Sequence, residues 1–278
     1  MAESSVMAEK VTPSLPMDKP RVGRSWATFR TVSALMLREM STRYGRSPGG
    51  YAWALLEPVG AIIVMAVGFG LMFHAPALGS DFLLFYATGY MPFALYQSIA
   101  NATARSLSFS KPLLAYPAVT WMDSVLARFI LNTLTGLLVT VIVLWGILAV
   151  SSTTTILDLP KITLAMFLSA GLGLSIGVMN CFLGTRIEVW DIAWSILSRP
   201  LFIVSGVFFV YENIPPAAQN VLYYLPWMHI AGIMREGFYP TYRPDYVSVS
   251  YVLLWCMLPL SFAMMLLRRY HKELLNRN

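Results

Sequence analysis

Six stretches of about twenty residues, each apolar and long enough to make a helix across a bilayer, constrain this chain more than any other feature. A hydrocarbon core of about 30 Å is crossed by roughly 20 helical residues. The stretches run from about 51 to 73, 82 to 102, 125 to 150, 162 to 183, 192 to 211 and 249 to 267. A soluble core has no use for apolar residues in blocks this long. Composition agrees, with 57% of residues apolar and 12% charged, against about a quarter charged in a soluble domain. The expected fold is an all-α integral membrane protein with six transmembrane helices.

The basic residues set an expected orientation. Fifteen of the twenty lysines and arginines fall before the first span, in the segments at 103–124 and 184–191, or after the last span. Lys161, Arg235 and Arg243 fall in the alternate loops, and Arg128 and Arg199 lie within spans. Cytoplasmic loops collect Lys and Arg, so both termini are expected inside. The same distribution explains the net charge of +6 without nucleic acid, because the cations form no single patch.

Between the spans the chain divides further. Residues 1–25, with Pro13, Pro16 and Pro20, read as a disordered cytoplasmic tail. Residues 26–46 read as an amphipathic interface helix, with Trp26, Phe29, Met36, Leu37, Met40 and Tyr44 on an apolar face turned to the acyl boundary. A plain surface helix is the alternative there. Ser47-Pro48-Gly49-Gly50 breaks it before the transmembrane domain at 51–267. Residues 103–124 read as a polar loop, and 268–278 as a second cytoplasmic tail. The semi-apolar stretch 212–248 is broken by Pro215-Pro216, Pro226 and Pro240, and reads as one or two short re-entrant or interfacial helices anchored by Tyr223, Tyr224, Trp227 and Tyr239. Ser169, Gly173 and Gly177 form a small-residue stripe that admits another helix, in the same chain or a second copy. Cys181 and Cys256 both fall inside apolar runs and read as small buried hydrophobes.

Catalytic machinery is not legible. The chain has no Gly-x-x-x-x-Gly-Lys-Ser/Thr phosphate loop, and His74, His229 and His271 are scattered with no ligands at metal spacing. Glu188 and Asp191, beside Arg186, read as a structural ion network rather than an acid–base pair. The polar groups at membrane depth remain. Arg199 stands next to Pro200, well inside the fifth span, where a charge facing lipid is costly. It either meets an anionic substrate or partner carboxylate, or snorkels to the interface. Arg128 reads as snorkelling, and Glu57 as paired with Arg43 or Arg46. Tyr51, Trp53, Tyr90 and Phe93 are rings deep enough to line a conduit, with core packing as the plainer reading of each.

The run Arg38-Glu39-Met40-Ser41-Thr42-Arg43-Tyr44-Gly45-Arg46, followed by Gly50-Tyr51-Ala52-Trp53-Ala54-Leu55-Leu56-Glu57-Pro58, resembles the ABC-2 type permeases of polysaccharide exporters, and among them the KpsM-type subunit of capsular polysaccharide export. The resemblance continues through Ser110-Lys111-Pro112-Leu113-Leu114, Arg199 to Phe209 and Ile214-Pro215-Pro216. Leu225-Pro226 stands where the family commonly has Asn-Pro. The resemblance implies a non-enzymatic subunit that pairs with a second copy of itself and with two ATP-binding subunits, which alone hold ATP and Mg. It implies a coupling helix carrying Arg105, Ser110, Lys111, Pro112 and Tyr116, and a smaller ATPase contact at Arg186, Glu188 and Asp191. The implied substrate is a lipid-linked anionic capsular polysaccharide moved out across a Gram-negative inner membrane, toward a periplasmic co-polymerase and an outer-membrane channel. Arg38, Arg43 and Arg46 would then form a basic inner mouth, a pattern that anionic membrane lipids also attract. O-antigen, teichoic-acid or drug export by the same family are the alternatives.

Overall fold

The computed structural model describes residues 26–44, 49–114, 119–151 and 156–276. The expected tail at 1–25, the break at Ser47-Pro48, Arg46 and Tyr116 lie outside the described residues. So do the side chains of Arg43, Tyr44 and Tyr51. The described residues form ten α-helices and one 3-10 turn. They are α1 (Ala27–Tyr44), α2 (Gly50–Gly70), α3 (Phe82–Ala104), α4 (Ser106–Leu114), α5 (Trp121–Val150), α6 (Leu159–Arg186), α7 (Trp190–Val204), α8 (Pro216–Leu222), α9 (Pro226–Phe238) and α10 (Val249–Asn276). Four contain a segment long and apolar enough to cross a membrane: Ala52–Gly70, Trp121–Val150, Leu159–Arg186 and Val249–His271.

The bundle is built around α3, which packs on α2, α4, α5, α6 and α9. Small side chains on α6 allow its closest contact. The Ser169 hydroxyl donates to the Pro92 carbonyl of α3. A Cβ added at Gly173 would stand 2.8 Å from the Tyr96 carbonyl oxygen, and one at Gly177 2.9 Å from that of Ala100. Backbone-to-backbone approach of this kind is what a small-residue stripe is for. The neighbour that the sequence left open is therefore a helix of the same chain. On the other side α6 meets α10, where the Ser175 hydroxyl donates to the Trp255 carbonyl at 3.3 Å.

Loops gather at two ends. At one end Ser106 meets Cys181, Trp121 meets His271 and Arg186 lies over Tyr270. At the other Asp81 accepts from the Ser151 hydroxyl, and the Asp158 amide donates to the Gly237 carbonyl at 2.9 Å. The first end carries most of the basic residues, and the second carries Lys161 and Arg243.

Several boundaries differ from the expected ones. The described part of 103–124 is mostly helical. α3 continues to Ala104, α4 follows after Arg105 alone, and α5 begins at Trp121. A capping box starts α5: the Thr120 hydroxyl accepts from the Asp123 amide at 3.2 Å, and the Asp123 carboxylate accepts from the Thr120 amide at 2.9 Å. Thr120→Ala is expected to lower stability by about 1 kcal/mol, seen as a small drop in the melting temperature of the purified protein in detergent. An unchanged melting temperature would show that the box does not hold this end.

The fifth apolar run does not stay helical. α7 ends at Val204, Gly206 takes a left-handed φ of 84°, and Val207 to Val210 continue without helical hydrogen bonding. The stretch 212–248 contains two short helices, α8 and α9, and every residue of α9 except Glu236 is buried. Arg235, expected in an outer loop, is 2% exposed. Its Nη1 donates to the Phe209 carbonyl at 2.7 Å and its Nη2 to the Val207 carbonyl at 3.1 Å. Buried backbone outside a helix needs partners for its polar groups, and this guanidinium supplies donors to two of its carbonyls. Tyr239 and Trp227 are buried, whereas Tyr223 and Tyr224 remain uncovered. The Leu225-Pro226 start of α9 has no side-chain cap.

Candidate functional site: a polar cleft among the first five helices

A cleft of about 1140 Å³ lies among α1, α2, α3, α4 and α5. Its wall is mixed. Trp53, Pro58, Tyr90 and Met91 supply apolar and aromatic surface, while Glu57, Gln97, Ser98, Asn101, Thr135 and Thr140 supply carboxylate, amide and hydroxyl groups. The sequence puts these polar groups on one side of α3 at 97, 98 and 101, close to the helical repeat. The opposite side of α3 packs on α6 through Pro92, Tyr96 and Ala100. An amphiphilic wall of this kind can hold a molecule with both hydroxylated and apolar parts.

At one end the cleft is floored by a buried charge cluster. Arg128 of α5 and Glu39 of α1 are 7% and 5% exposed, and Nε of Arg128 stands 3.2 Å from the Glu39 carboxylate. The Nε–H does not point along a hydrogen bond to that oxygen, so the contact is one of charge. Nη1 donates to the Ala102 carbonyl at 2.8 Å, and the guanidinium lies 4.2 Å from the centre of the Phe109 ring of α4. Arg38 lies over the same ring at 5.2 Å. A desolvated cation on a ring contributes about 2 kcal/mol, and removing one member of a buried ion pair costs about 3–5 kcal/mol. Arg128 thus corrects the expectation that it snorkels. Helices α1 and α4 cover the position where its side chain would otherwise reach water.

On α1, Trp26, Phe29, Leu37 and Met40 are uncovered, and the opposite stripe, Val32, Leu35 and Glu39, packs on α5. Positions 32, 35 and 39 follow the 3–4 residue repeat of a helix face. The charge at 39 hid this face from a reading based on apolar residues alone.

Of the expected conduit residues, Trp53 and Tyr90 line the cleft. Phe93 is 4% exposed and enclosed by Tyr96 and Phe202, so it belongs to the core. Arg38 lies over the Phe109 ring and does not itself line the cleft. Glu57 is exposed on the cleft wall, and its expected partners Arg43 and Arg46 fall outside the described side chains. Arg199 is exposed on α7 and pairs with no described residue. It stands away from the cleft wall, on a helix with no buried residue at all.

The residues expected to meet an ATPase divide by exposure. Arg105 and Pro112 are exposed and Lys111 half-buried. Ser110 is turned inward, 2.7 Å from the Ser124 hydroxyl of α5, because it must close the α4–α5 corner. Arg186, Glu188 and Asp191 are exposed at the α6–α7 turn, where the Asp191 carboxylate lies against Gly184 and the Trp190 indole donates to Asn180 at 3.0 Å. Among the described residues no group of three or more His, Cys, Asp or Glu is placed to hold a metal ion. Cys181 and Cys256 are free and buried.

Sequence reasoning missed the Arg128–Glu39 pair and Arg235. A signal for the first was available in the separation itself. Two opposite charges in otherwise apolar surroundings each need a partner, and Glu39 was read only as part of a basic run.

Comparison with known proteins adds a separate kind of observation. A family model described as ABC-2 type transporter matches residues 30–239. The chain is similar to the polysialic acid transport protein KpsM of Escherichia coli, 27% identical over 245 residues that make up 88% of this chain and 95% of the relative. It is similar to the capsule polysaccharide export inner-membrane protein CtrC of Neisseria meningitidis serogroup A, 26% identical over 245 residues, 87% of this chain and 92% of the relative. The capsule polysaccharide export inner-membrane protein BexB of Haemophilus influenzae is 23% identical over 243 residues, with the same two shares.

Proposed function

The chain belongs to the ABC-2 type transporter family, and from that premise we propose that it is the transmembrane subunit of an ATP-driven exporter of lipid-linked capsular polysaccharide. The observation that carries this reading is the extent of the match. Relatives named for capsule polysaccharide export and polysialic acid transport align over 92 to 95% of their own length, so their whole membrane part has a counterpart here. The cleft suits the role, since a lipid-linked glycan has the same mixture of hydroxylated and apolar surface as its wall.

In this reading the chain crosses a bacterial inner membrane six times, with α2, α3, α5, α6, the α7-to-Val210 segment and α10. The end rich in Arg and Lys faces the cytoplasm. ATP is bound and hydrolysed by a separate subunit seated against Arg105, Lys111 and Pro112, with a smaller contact at Arg186, Glu188 and Asp191. A second copy covers α7, whose Ile192, Ile196, Leu197 and Ile203 are all uncovered in the single chain, and Arg199 then lies at the junction of the two copies. Trp53, Tyr90 and Glu57 border the substrate path, with Arg38, Arg43 and Arg46 at its inner mouth. A periplasmic co-polymerase and an outer-membrane channel continue the route.

Deleting the chain from its native cell tests the reading. Cell-surface polysaccharide is expected to fall to background while polymer accumulates inside, and a plasmid copy is expected to restore it. Surface polysaccharide at the parental level in the deletion strain would overturn the proposal. A changed drug susceptibility with normal surface glycan would redirect it to small-molecule export.

A further inference from the structure

Four helices meet at the floor of the cleft through one small set of side chains, and they are the helices whose relative motion would open or narrow it. Arg128 of α5 touches the Glu39 carboxylate of α1 at 3.2 Å, the Ala102 carbonyl at the end of α3 at 2.8 Å, and the Phe109 ring of α4 at 4.2 Å. Arg38 of α1 lies over the same ring at 5.2 Å, and its buried Nη1 has no hydrogen-bond partner among the described residues. Glu39, Phe109 and Arg128 all border the cleft.

We propose that Glu39, Phe109 and Arg128 form a latch that converts displacement of α4 into displacement of α1 and a change in the width of the cleft. The inference rests on the reading of the chain as a permease driven by an ATPase seated on α4. These are positioning residues, which act on the cleft wall through one another.

The chemistry fits a two-position element better than a plain staple. α4 is pinned to α5 by Ser110 and Ser124 at 2.7 Å, and by the Ser124 hydroxyl donating to the Ser106 carbonyl at 2.9 Å. These short hydrogen bonds fix its inner face. Phe109, at 37% exposed, is on the cleft side of that hinge. A guanidinium held over a ring can slide across it with little loss, because the attraction is to the whole face rather than to one atom. The Glu39 contact is likewise one of charge rather than of an aligned hydrogen bond. A force on α4 therefore passes through the ring to Arg128, which also donates to the Ala102 carbonyl of α3, and on to Glu39 through a contact of charge. Coupling between two sites requires such an element with more than one arrangement.

The test uses the full exporter, with the chain, its ATP-binding subunit and the polymer-producing cell. Glu39→Gln removes the charge and keeps the shape, Phe109→Leu removes the ring and keeps apolar bulk, and Phe109→Tyr keeps the ring. The latch predicts that E39Q and F109L still assemble with the ATP-binding subunit and still hydrolyse ATP, while polymer exported per ATP falls about tenfold. F109Y is expected to retain the parental ratio. Export and hydrolysis falling in parallel, or loss of the ATP-binding subunit from both variants, would show a structural staple and overturn the latch. An unchanged ratio in E39Q and F109L would overturn it as well. Should the parental chain bind no ATP-binding subunit, the functional reading fails first and the latch with it.

Discussion

Arg235→Ala is expected to produce the largest loss of folded protein of any single substitution outside the cleft. The parent side chain is 2% exposed and serves two backbone carbonyls, those of Val207 and Phe209. Removing it strands both acceptors, at about 1–3 kcal/mol each. It also leaves a void against the Phe85 ring, which lies 4.4 Å from the guanidinium. Among the described residues no carboxylate pairs with this arginine, so no stranded counter-charge is left to offset by rearrangement, and the carbonyls decide the outcome. The segment from Ser205 to Val210 should then detach from α9 and become open to protease in detergent. Arg235→Lys keeps the charge but has one donor group in place of the fork, and should fall between alanine and the parent. An alanine variant that melts and resists protease like the parent would show that the broken end of α7 is held by something else.

Gly173→Leu and Gly177→Leu should each separate α3 from α6. An added Cβ alone would meet the Tyr96 carbonyl at 2.8 Å in the first case, and the Thr103 Cβ at 2.8 Å and the Ala100 carbonyl at 2.9 Å in the second. These neighbours are backbone or stem atoms of a helix held on several sides, so they cannot swing aside. Forcing extra carbons into a packed core costs about 1–3 kcal/mol and sometimes more, and a leucine adds more than a Cβ. Yield of folded monodisperse protein should fall sharply for either variant and further for the pair. Gly146→Leu, where nothing lies within 4 Å, is the matched control. Equal yields for Gly146→Leu and the two α6 variants would mean that the stripe is not a contact surface.

How far the sequence was readable depended on whether a signal was local. The apolar runs at 125–150 and 162–183 became α5, extended at its start, and α6, extended at both ends, because hydropathy falls off gradually while caps such as Thr120 and Asp158 are set by single side chains. The stripe at 169, 173 and 177 was visible, though its partner was not, since helix spacing says nothing about which helix answers. The run at 192–211 misled because an apolar stretch carries no record of where its carbonyls find donors. Arg235 lies 31 positions beyond Val204, and only the fold brings the two together. In the candidate site, Trp53 and Tyr90 were legible as aromatic residues at membrane depth. Phe93, Ser110 and Arg128 were not, because burial depends on α1, α4 and α7 folding over positions that look exposed on an isolated span.

α3 packs on five other helices, yet it is not among the helices apolar enough to cross a membrane unaided. The polar groups at 97, 98 and 101 that line the cleft are part of the reason. Lipid alone will therefore hold α3 less firmly during synthesis than the helices around it. It is made before α5, α6 and α9, and those are the helices that supply most of its neighbours. Those helices extend to Phe238, so α3 has its full set of helix neighbours only once residues up to 238 are in place.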